Sequence, residues 1–209
     1  MYIYYPSCNF NRAHPQTGRI VRSYFKDKME IAKCCLIDQR EIQDEDIGIY
    51  ICQNCRTQIE NKIKTKSIWE YFDELNDFTF PNYQGQIMQI QDCYRDRNHP
   101  EVHQAVRNLL KKMNIQVLEI SENKAYSTFC GTLHYETKDP DLLQAIANYP
   151  DTKPSHLPES LQQKLMQEQV HKFDPNYPII CDCNRCLKGI ELGGGKGVHL
   201  LDLIMNPQI

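Results

Sequence analysis

The sequence predicts an α/β protein made of two similar lobes, in which parallel strands are flanked by helices. Short β-branched and aromatic runs alternate with amphipathic segments, as they do in proteins with parallel sheets. The same order of elements starts again after residue 82, which indicates an internal duplication. The ten cysteines lie at or beside equivalent points of the two halves. They are Cys8, Cys34, Cys35, Cys52, Cys55, Cys93, Cys130, Cys181, Cys183 and Cys186.

The first lobe is expected over residues 1–80. Its central strand is a β-branched and aromatic run at residues 47–51, which leads directly into Cys52. Ser67 is the expected N-cap of an aromatic-rich helix, and the basic stretch at residues 62–66 favours a solvated helix end. The expected elements are, in order, a strand at 2–5, a loop at 6–8, a helix within 20–29, a strand at 47–51, and helices at 56–63 and 67–75.

The second lobe is expected over residues 82–209, and its sequence pattern again predicts a strand before each helix. Its clearest helix follows Pro100 and carries an apolar face. An insertion at about 135–177 contains one amphipathic helix and could cover the site as a lid or decorate an edge. The pattern therefore predicts two Rossmann-like lobes. The expected elements are strands at 86–91, 115–120 and 178–182, helices at 100–113 and 160–170, a short helix ending at 193, and an apolar segment at 198–204.

Composition excludes several classes of function. The formal net charge of -3 and the scattered basic residues give no reason to expect nucleic acid as a partner. The N-terminus lacks the pattern of a signal peptide, and no apolar run is long enough to span a membrane. We therefore expect a cytoplasmic protein whose thiols are reduced. In that compartment, ten cysteines favour metal or redox chemistry over a disulfide framework.

Two features of the cysteines point to metal binding. Cys52 and Cys55 are expected at a strand-to-helix turn, where the backbone N–H groups of the helix favour thiolates, the form that binds metals. The adjacent pair Cys34 and Cys35 suits a loop around a multi-iron cluster better than it suits one tetrahedral ion. A structural zinc protein is the main alternative, because pairs of this Cys-x-x-Cys type are common zinc ligands.

The order of the cysteines resembles the cysteine-rich CCG domain, which occurs twice in the B subunit of heterodisulfide reductase and in related iron–sulfur subunits. That family has a cysteine, then a distant Cys-Cys-Gly, then a distant Cys-x-x-Cys, and the resemblance covers nearly the whole chain. Its most specific stretches are residues 91–97, 100–102, 107–110 and Phe129-Cys130-Gly131. Two departures are that Leu36 follows the first doublet in place of glycine, and that the second doublet is reduced to Phe129-Cys130.

The resemblance implies a metal cofactor in each lobe. In the family, five-cysteine sets hold noncubane [4Fe–4S] clusters that bind and split a disulfide substrate. By this resemblance Cys34 and Cys35 are the catalytic pair. The ligands of the first cluster are Cys8, Cys34, Cys35, Cys52 and Cys55. A second [4Fe–4S] cluster or Zn²⁺ is expected at Cys93, Cys130, Cys183 and Cys186, with Cys181 as a further candidate.

The expected function is therefore that of an iron–sulfur oxidoreductase subunit, which moves electrons to or from a small thiol or disulfide. Since no dinucleotide-binding motif follows a strand, we expect the electrons to come from a partner protein rather than from bound flavin or nicotinamide. The alternative is a zinc-stabilised scaffold or regulatory module without redox activity. His14 and His134 are candidates for proton delivery, whereas His99 and His103 are expected at the surface and His199 in a structural role.

The stretch Gly193-Gly194-Gly195-Lys196-Gly197 suggests a phosphate loop at first sight. It lacks the spacing of a P-loop, so we expect it to turn the chain between a helix and a strand.

Overall fold

A computed structural model describes residues Met1–Met205. The fold is α/β, as the sequence predicts, and it contains two four-stranded sheets in which every strand pair is parallel. The strands of the first sheet are β1 (Tyr2–Tyr5), β2 (Glu30–Ile31), β3 (Ile47–Tyr50) and β4 (Lys64–Ser67). Those of the second sheet are β5 (Ile87–Gln91), β6 (Gln116–Leu118), β7 (Ile179–Cys181) and β8 (Gly197–His199).

Helices connect the strands in both halves. The helices of the first half are α1 (Cys8–Ala13), α2 (Pro15–Phe25), α3 (Gln53–Ile59) and α4 (Ile68–Glu74). The second half contains α5 (Pro100–Lys112), α6 (Pro140–Ala147), α7 (Glu159–Val170), α8 (Asn184–Leu192) and α9 (Leu200–Met205).

The two sheets share one topology, which explains the repeat in the sequence. Their strand orders are β2-β1-β3-β4 and β6-β5-β7-β8, so the first and third strands of each half lie at the centre of the sheet. Because all strands are parallel, their carboxyl ends lie along one edge of each sheet, and the loops that leave those ends converge there. Cys52 lies two residues after the end of β3, and Cys93 lies two residues after the end of β5.

The chain forms two compact units. Among the described residues, the first comprises Met1–Asn82, Gln104–Met113 and Leu201–Met205, and the second comprises Tyr83–His103 and Asn114–Leu200. Part of α5 and nearly all of α9 therefore belong to the first unit, although both helices follow strands of the second sheet.

In the first unit, the two faces of β1 bury different partners. Tyr4 packs against Phe25 of α2, with ring centroids 4.7 Å apart, whereas Ile3 on the other face belongs to a buried cluster with Ile59 and Ile63. This alternation follows from the two-residue period of a strand.

Helix α4 of the first unit begins as the sequence predicts. The Ser67 side chain accepts a hydrogen bond from the backbone N–H of Glu70, and the Glu70 carboxylate accepts one from the backbone N–H of Ser67. This reciprocal pair is a capping box, which satisfies two helix-end donors.

In the second unit, the insertion at 135–177 is part of the core. The inward residues predicted for α7, Leu161, Leu165 and Met166, are buried at 8%, 1% and 0% exposure. They belong to the same buried cluster as Ile146 of α6 and as four cysteines of the second half, which are Cys93, Cys130, Cys181 and Cys186.

Several element predictions for the first half are wrong. The expected loop at residues 6–8 contains the start of α1, a six-residue helix whose N-cap Ser7 accepts from the N–H of Phe10. The helix predicted within 20–29 begins earlier, at Pro15, and ends at Phe25. The basic stretch predicted as a helix end forms β4, because it pairs with the buried β3 on one side of the sheet.

Two further differences concern the helix predicted at 56–63 and a histidine. That helix, α3, runs over Gln53–Ile59, so that Cys52 is its N-cap and Cys55 lies in its first turn. His103 is buried at 5% exposure rather than lying at the surface, because it shares a helix face with the fully buried Val106, three residues later on α5.

Candidate metal centre

The structure brings four of the predicted ligands of the second half together. Their sulfur atoms all lie within 4.8 Å of one another, and the sulfurs of Cys93 and Cys130 are 3.5 Å apart. Three of the four side chains are buried and that of Cys183 is partly exposed. This tetrad, which could hold a metal, consists of Cys93, Cys130, Cys183 and Cys186.

Three loops at one edge of the second sheet supply the tetrad. Cys93 follows β5, while Cys183 follows β7 as the N-cap of α8 and Cys186 lies one turn into that helix. Cys130 comes from the loop before the insertion. Carboxyl ends of adjacent parallel strands meet at the same edge, so the positions of Cys93 and Cys183 follow from the pairing of β5 with β7.

Two glycines let the Cys130 loop approach α8 closely. Gly131 has a φ of +53°, and a Cβ at this position would stand 2.0 Å from the carbonyl oxygen of Arg185. Gly189 of α8 faces it, because a Cβ there would stand 2.6 Å from the Cα of Gly131. Neither position can take a side chain without moving the loop away from α8. The glycine of the Phe-Cys-Gly stretch is therefore required by geometry.

A polar brace holds the same loop against the end of β5. The Asn123 side-chain amide donates to the carbonyl oxygen of Ile90 at 2.8 Å, and its oxygen accepts from the backbone N–H of Asp92 at 2.9 Å. The Ser127 hydroxyl donates to the carbonyl oxygen of Asp92 at 2.7 Å. Sequence reasoning missed Asn123 and Ser127, because single polar residues in a loop carry no motif.

The tetrad is a coupled group of thiols. Hydrogen bonds from the thiols of Cys130, Cys186 and Cys93 lower the pKa of Cys183 well below that of a free thiol. Burial raises the pKa of Cys186, and hydrogen bonding with Cys130 raises that of Cys93. Metals bind the thiolate form, so a metal ion at the tetrad would displace the protons that its thiols carry.

Cys181 does not belong to the tetrad. It is the last residue of β7 and is fully buried, and burial raises its pKa well above that of a free thiol. Adjacent strand residues point to opposite faces, so Cys181 and Cys183 share a face only if the backbone between them stays extended. The chain bends after Cys181, and the sulfur group described above does not include it.

The predicted ligands of the first half interact in neighbouring pairs, but among residues 1–205 the cysteines that lie close enough together to hold a metal are those of the tetrad. Cys8 interacts with Cys34, Cys34 with Cys35, Cys35 with Cys55, and Cys55 with Cys52. We call these five cysteines the first set.

The first set is more exposed than the tetrad. Cys8 is exposed, Cys34, Cys35 and Cys52 are partly exposed, and only Cys55 is buried. Hydrogen bonds from the backbone N–H of Leu36 and from the thiol of Cys8 lower the pKa of Cys34. A partly exposed sulfur with a lowered pKa is open to reaction with a molecule from solution.

The two histidines proposed for proton delivery have defined partners. Nδ1 of His14 lies 2.7 Å from the Asp202 carboxylate, and the ring of His14 stacks on Phe10. The ring of His134 stacks on Tyr94, with ring centroids 3.5 Å apart, and its Nε2 lies 2.9 Å from the Glu136 carboxylate. Proton delivery by either histidine stays a prediction.

The remaining sequence candidates have structural positions. The glycine-rich stretch joins α8 to β8, as expected of a turn between a helix and a strand. His199 is fully buried at the end of β8, and His99 is partly exposed. Within Met1–Met205, no helix is long and apolar enough to cross a membrane.

The fold and the tetrad thus define a cysteine-rich, two-sheet α/β protein with a site that could hold a metal. No family model, curated protein or solved structure matches the chain.

Proposed function

We propose that this chain is an iron–sulfur oxidoreductase subunit similar to the B subunit of heterodisulfide reductase. In this proposal the first set faces a thiol or disulfide substrate, and the tetrad holds a closed metal site. The observation that carries the proposal is the contrast in exposure between the two groups of cysteines: Cys8 is open to solvent, whereas Cys93, Cys130 and Cys186 are at most 1% exposed.

The composition of the first set supports a cluster there. Five thiol sulfurs in a contact series exceed the four that a tetrahedral ion needs, and three separate segments of the chain supply them. When bound, a [4Fe–4S] cluster supplies reversible one-electron chemistry. Cys34 and Cys35 are the proposed substrate-facing pair. Cys34 is partly exposed, and Cys35 contacts both Cys34 and the buried Cys55.

The spacing of the tetrad favours a single ion at the second site. A tetrahedral ion with Zn–S bonds of about 2.3 Å places its sulfurs about 3.8 Å apart. The tetrad sulfurs lie within 4.8 Å of one another, and one pair is at 3.5 Å. A four-iron cluster puts iron and sulfide between its thiolates and so holds them farther apart. The tetrad is therefore proposed as a structural zinc site, with a second [4Fe–4S] relay as the alternative.

The same spacing supports a second candidate function, a zinc-stabilised scaffold or regulatory module without redox activity. Metal and labile-sulfide analysis of anaerobically purified protein separates the two candidates. Iron with labile sulfide and a broad visible absorption supports the redox subunit. If the protein is colourless, contains only zinc and takes up no iron–sulfur cluster on anaerobic reconstitution, the result supports the scaffold and rejects the redox proposal.

Two serine variants test the assignment of the two sites. We expect Cys35→Ser to abolish reduction of a disulfide while the protein stays folded, because it removes one sulfur of the substrate-facing pair. Cys183→Ser should mainly lower the free energy of unfolding and the zinc content, because it opens a closed site.

The measurements are bound metal, free energy of unfolding and disulfide turnover in both variants. If Cys35→Ser keeps full turnover while Cys183→Ser loses it, the roles of the two groups of cysteines are reversed. The chain's expected electron donor is a partner protein. Turnover assays therefore use a chemical reductant, which makes them independent of that partner.

A further inference from the structure

We propose that the turn after the cysteine doublet makes the first set selective for disulfides that carry an apolar arm without negative charge. This inference rests on the proposed function, because it names the substrate class of the same site. It concerns Leu36 and Ile37, which follow Cys34 and Cys35 in the chain.

Backbone and carboxylate hydrogen bonds fix this turn. The N–H groups of Ile37 and Asp38 both donate to the carbonyl oxygen of Cys34, at 2.9 and 3.0 Å. The Asp38 carboxylate accepts from the N–H of Lys33 at 2.9 Å and from the N–H of Arg40 at 3.1 Å. These bonds fix the backbone of the turn, and so the positions from which the side chains of Leu36 and Ile37 extend.

The tip of the turn is apolar and exposed. The side chains of Leu36 and Ile37 are 71% and 66% exposed, among the highest values for large apolar residues in Met1–Met205. Cys35 instead packs against the buried cluster that contains Ile3 and Ile59. These two exposed aliphatic residues directly follow the partly exposed Cys34 and Cys35 in the chain, and we call them the apolar rim of the first set.

The charges around this rim disfavour an anionic ligand. Between residues 33 and 46 the sequence carries five carboxylates and two cations. Arg40 is bound by Asp38 and Glu30, and Asp46 is bound by the N-terminal ammonium group, so these charges are largely paired. Glu41, Asp44 and Glu45 are exposed. An arm that is apolar or cationic therefore meets a favourable surface, whereas a carboxylate arm is repelled.

The second half has a glycine at the position where the first half has the rim residue Leu36. At the equivalent position after Cys130, Gly131 allows the loop to press against α8 and the sulfurs to close into the tetrad. Leu36 has a side chain that turns outward instead, and Cys34 stays partly exposed. The same position thus opens the first set and lines its entrance.

Three pyridyl disulfides that share the same leaving group but differ in their arm test the selectivity of the first set. They are butyl, 2-aminoethyl and 2-carboxyethyl 2-pyridyl disulfide. A thiolate of the first set attacks the sulfur that carries the arm, so a mixed disulfide forms, the original S–S bond breaks, and pyridine-2-thione leaves. Its absorbance gives the rate on anaerobically purified full-length protein, and peptide mass spectrometry identifies the modified cysteine.

We expect the butyl arm to react about tenfold faster than the carboxyethyl arm, because part of a four-carbon chain is buried on the rim. In the double variant Leu36→Ser, Ile37→Ser this ratio should fall to about threefold or less, since only screened charge repulsion remains. Leu143→Ser, which removes a side chain that is 51% exposed on α6, is the matched control and should keep the full ratio.

An equal ratio in the double variant and the unaltered protein overturns the proposal, as does an arm found mainly on a cysteine of the tetrad. Turnover with a chemical reductant is measured separately. If the protein prefers the butyl arm but does not turn over a disulfide, the result supports the apolar rim and rejects the redox function. Turnover with no arm preference supports the redox function and rejects the rim.

Discussion

Replacing Gly131 by alanine should disturb the tetrad more than any other single methyl group added to the second unit. The residue has a φ of +53°, where a side chain costs about 1–2 kcal/mol. Its Cβ would also stand 2.0 Å from the carbonyl oxygen of Arg185, and relief of such overpacking typically costs about 1–3 kcal/mol. The two contributions together predict a loss of about 2–5 kcal/mol.

This cost should divide between folding and metal binding. If the Cys130 loop keeps its place, the whole loss appears in the free energy of unfolding. If the loop moves away from α8, the strain is relieved but Cys130 leaves the other sulfurs, and metal affinity falls about tenfold for each 1.4 kcal/mol. The sum of the two losses is therefore the predicted quantity.

Two other glycines separate the components of the effect. Gly194 has a φ of +85° and no atom within 4 Å of its Cβ position, so Gly194→Ala carries the backbone strain alone. In Gly189→Ala the new Cβ would stand 2.6 Å from the Cα of Gly131. The backbone of Gly189 is helical, so this variant carries the clash without the strain of a left-handed residue. The gain in helix propensity, about 1 kcal/mol, offsets part of that clash.

Urea denaturation and competition with a zinc chelator measure the two losses in all three variants. We expect Gly194→Ala to lose about 1–2 kcal/mol of stability and to retain metal as the unaltered protein does. Gly131→Ala should lose more in stability, in metal retention, or in both. If Gly131→Ala and Gly194→Ala behave alike in both assays, the close approach of the Cys130 loop to α8 does not hold the tetrad together.

Two further predictions concern stability. Ser67→Ala removes the capping box with Glu70 and should lower the free energy of unfolding by about 1 kcal/mol at unchanged metal content, as measured by urea denaturation. Hydrogen bonds and charge from Lys172 and Lys138 lower the pKa of Glu122 below its ordinary value of 4.5, so its ionised form stabilises the fold. That contribution, about 1 kcal/mol or less at this partly exposed site, is present above pH 4.5 and is lost as the pH falls through the lowered pKa. The difference in the free energy of unfolding between the unaltered protein and Glu122→Gln should thus vanish in acid. A difference that stays constant with pH would contradict this prediction.

The sequence predicts the central strands and the edge strand β6 well, and the edge strands of the first sheet poorly. β1, β3, β5 and β7 are buried and therefore carry apolar runs, and each was expected close to its observed position. β4 contains two lysines and β2 has only two residues, so neither shows the alternation that identifies a strand. Their pairing depends on a buried neighbour that lies elsewhere in the chain.

The site shows the same limit. Spacing alone indicates that Cys183 and Cys186 act together, because one helical turn joins them. That Cys93 and Cys130 join them, and that Cys181 does not, depends on the register of β5 with β7 and on the bend after Cys181. These are long-range features, which no local pattern encodes.

The two halves share one topology but carry two unlike groups of cysteines. Both halves place cysteines at the same edge of the same four-stranded topology, so topology alone predicts equal sites. Two local differences separate them. In the second half, Gly131 lets its loop close on α8, and the insertion adds Leu165 and Met166 to the core around the cysteines.

The first half has Leu36 in place of that glycine and a short polar loop in place of the insertion. Its sulfurs therefore stay in an open series, with Cys8 exposed. Under the proposed function, the closed tetrad would shield a metal from solution, whereas the open series would leave a sulfur accessible to a substrate. Because Cys130 and Cys35 occupy equivalent positions in the two motifs, Gly131 and Leu36 are the residues at which the closed and the open arrangement first differ.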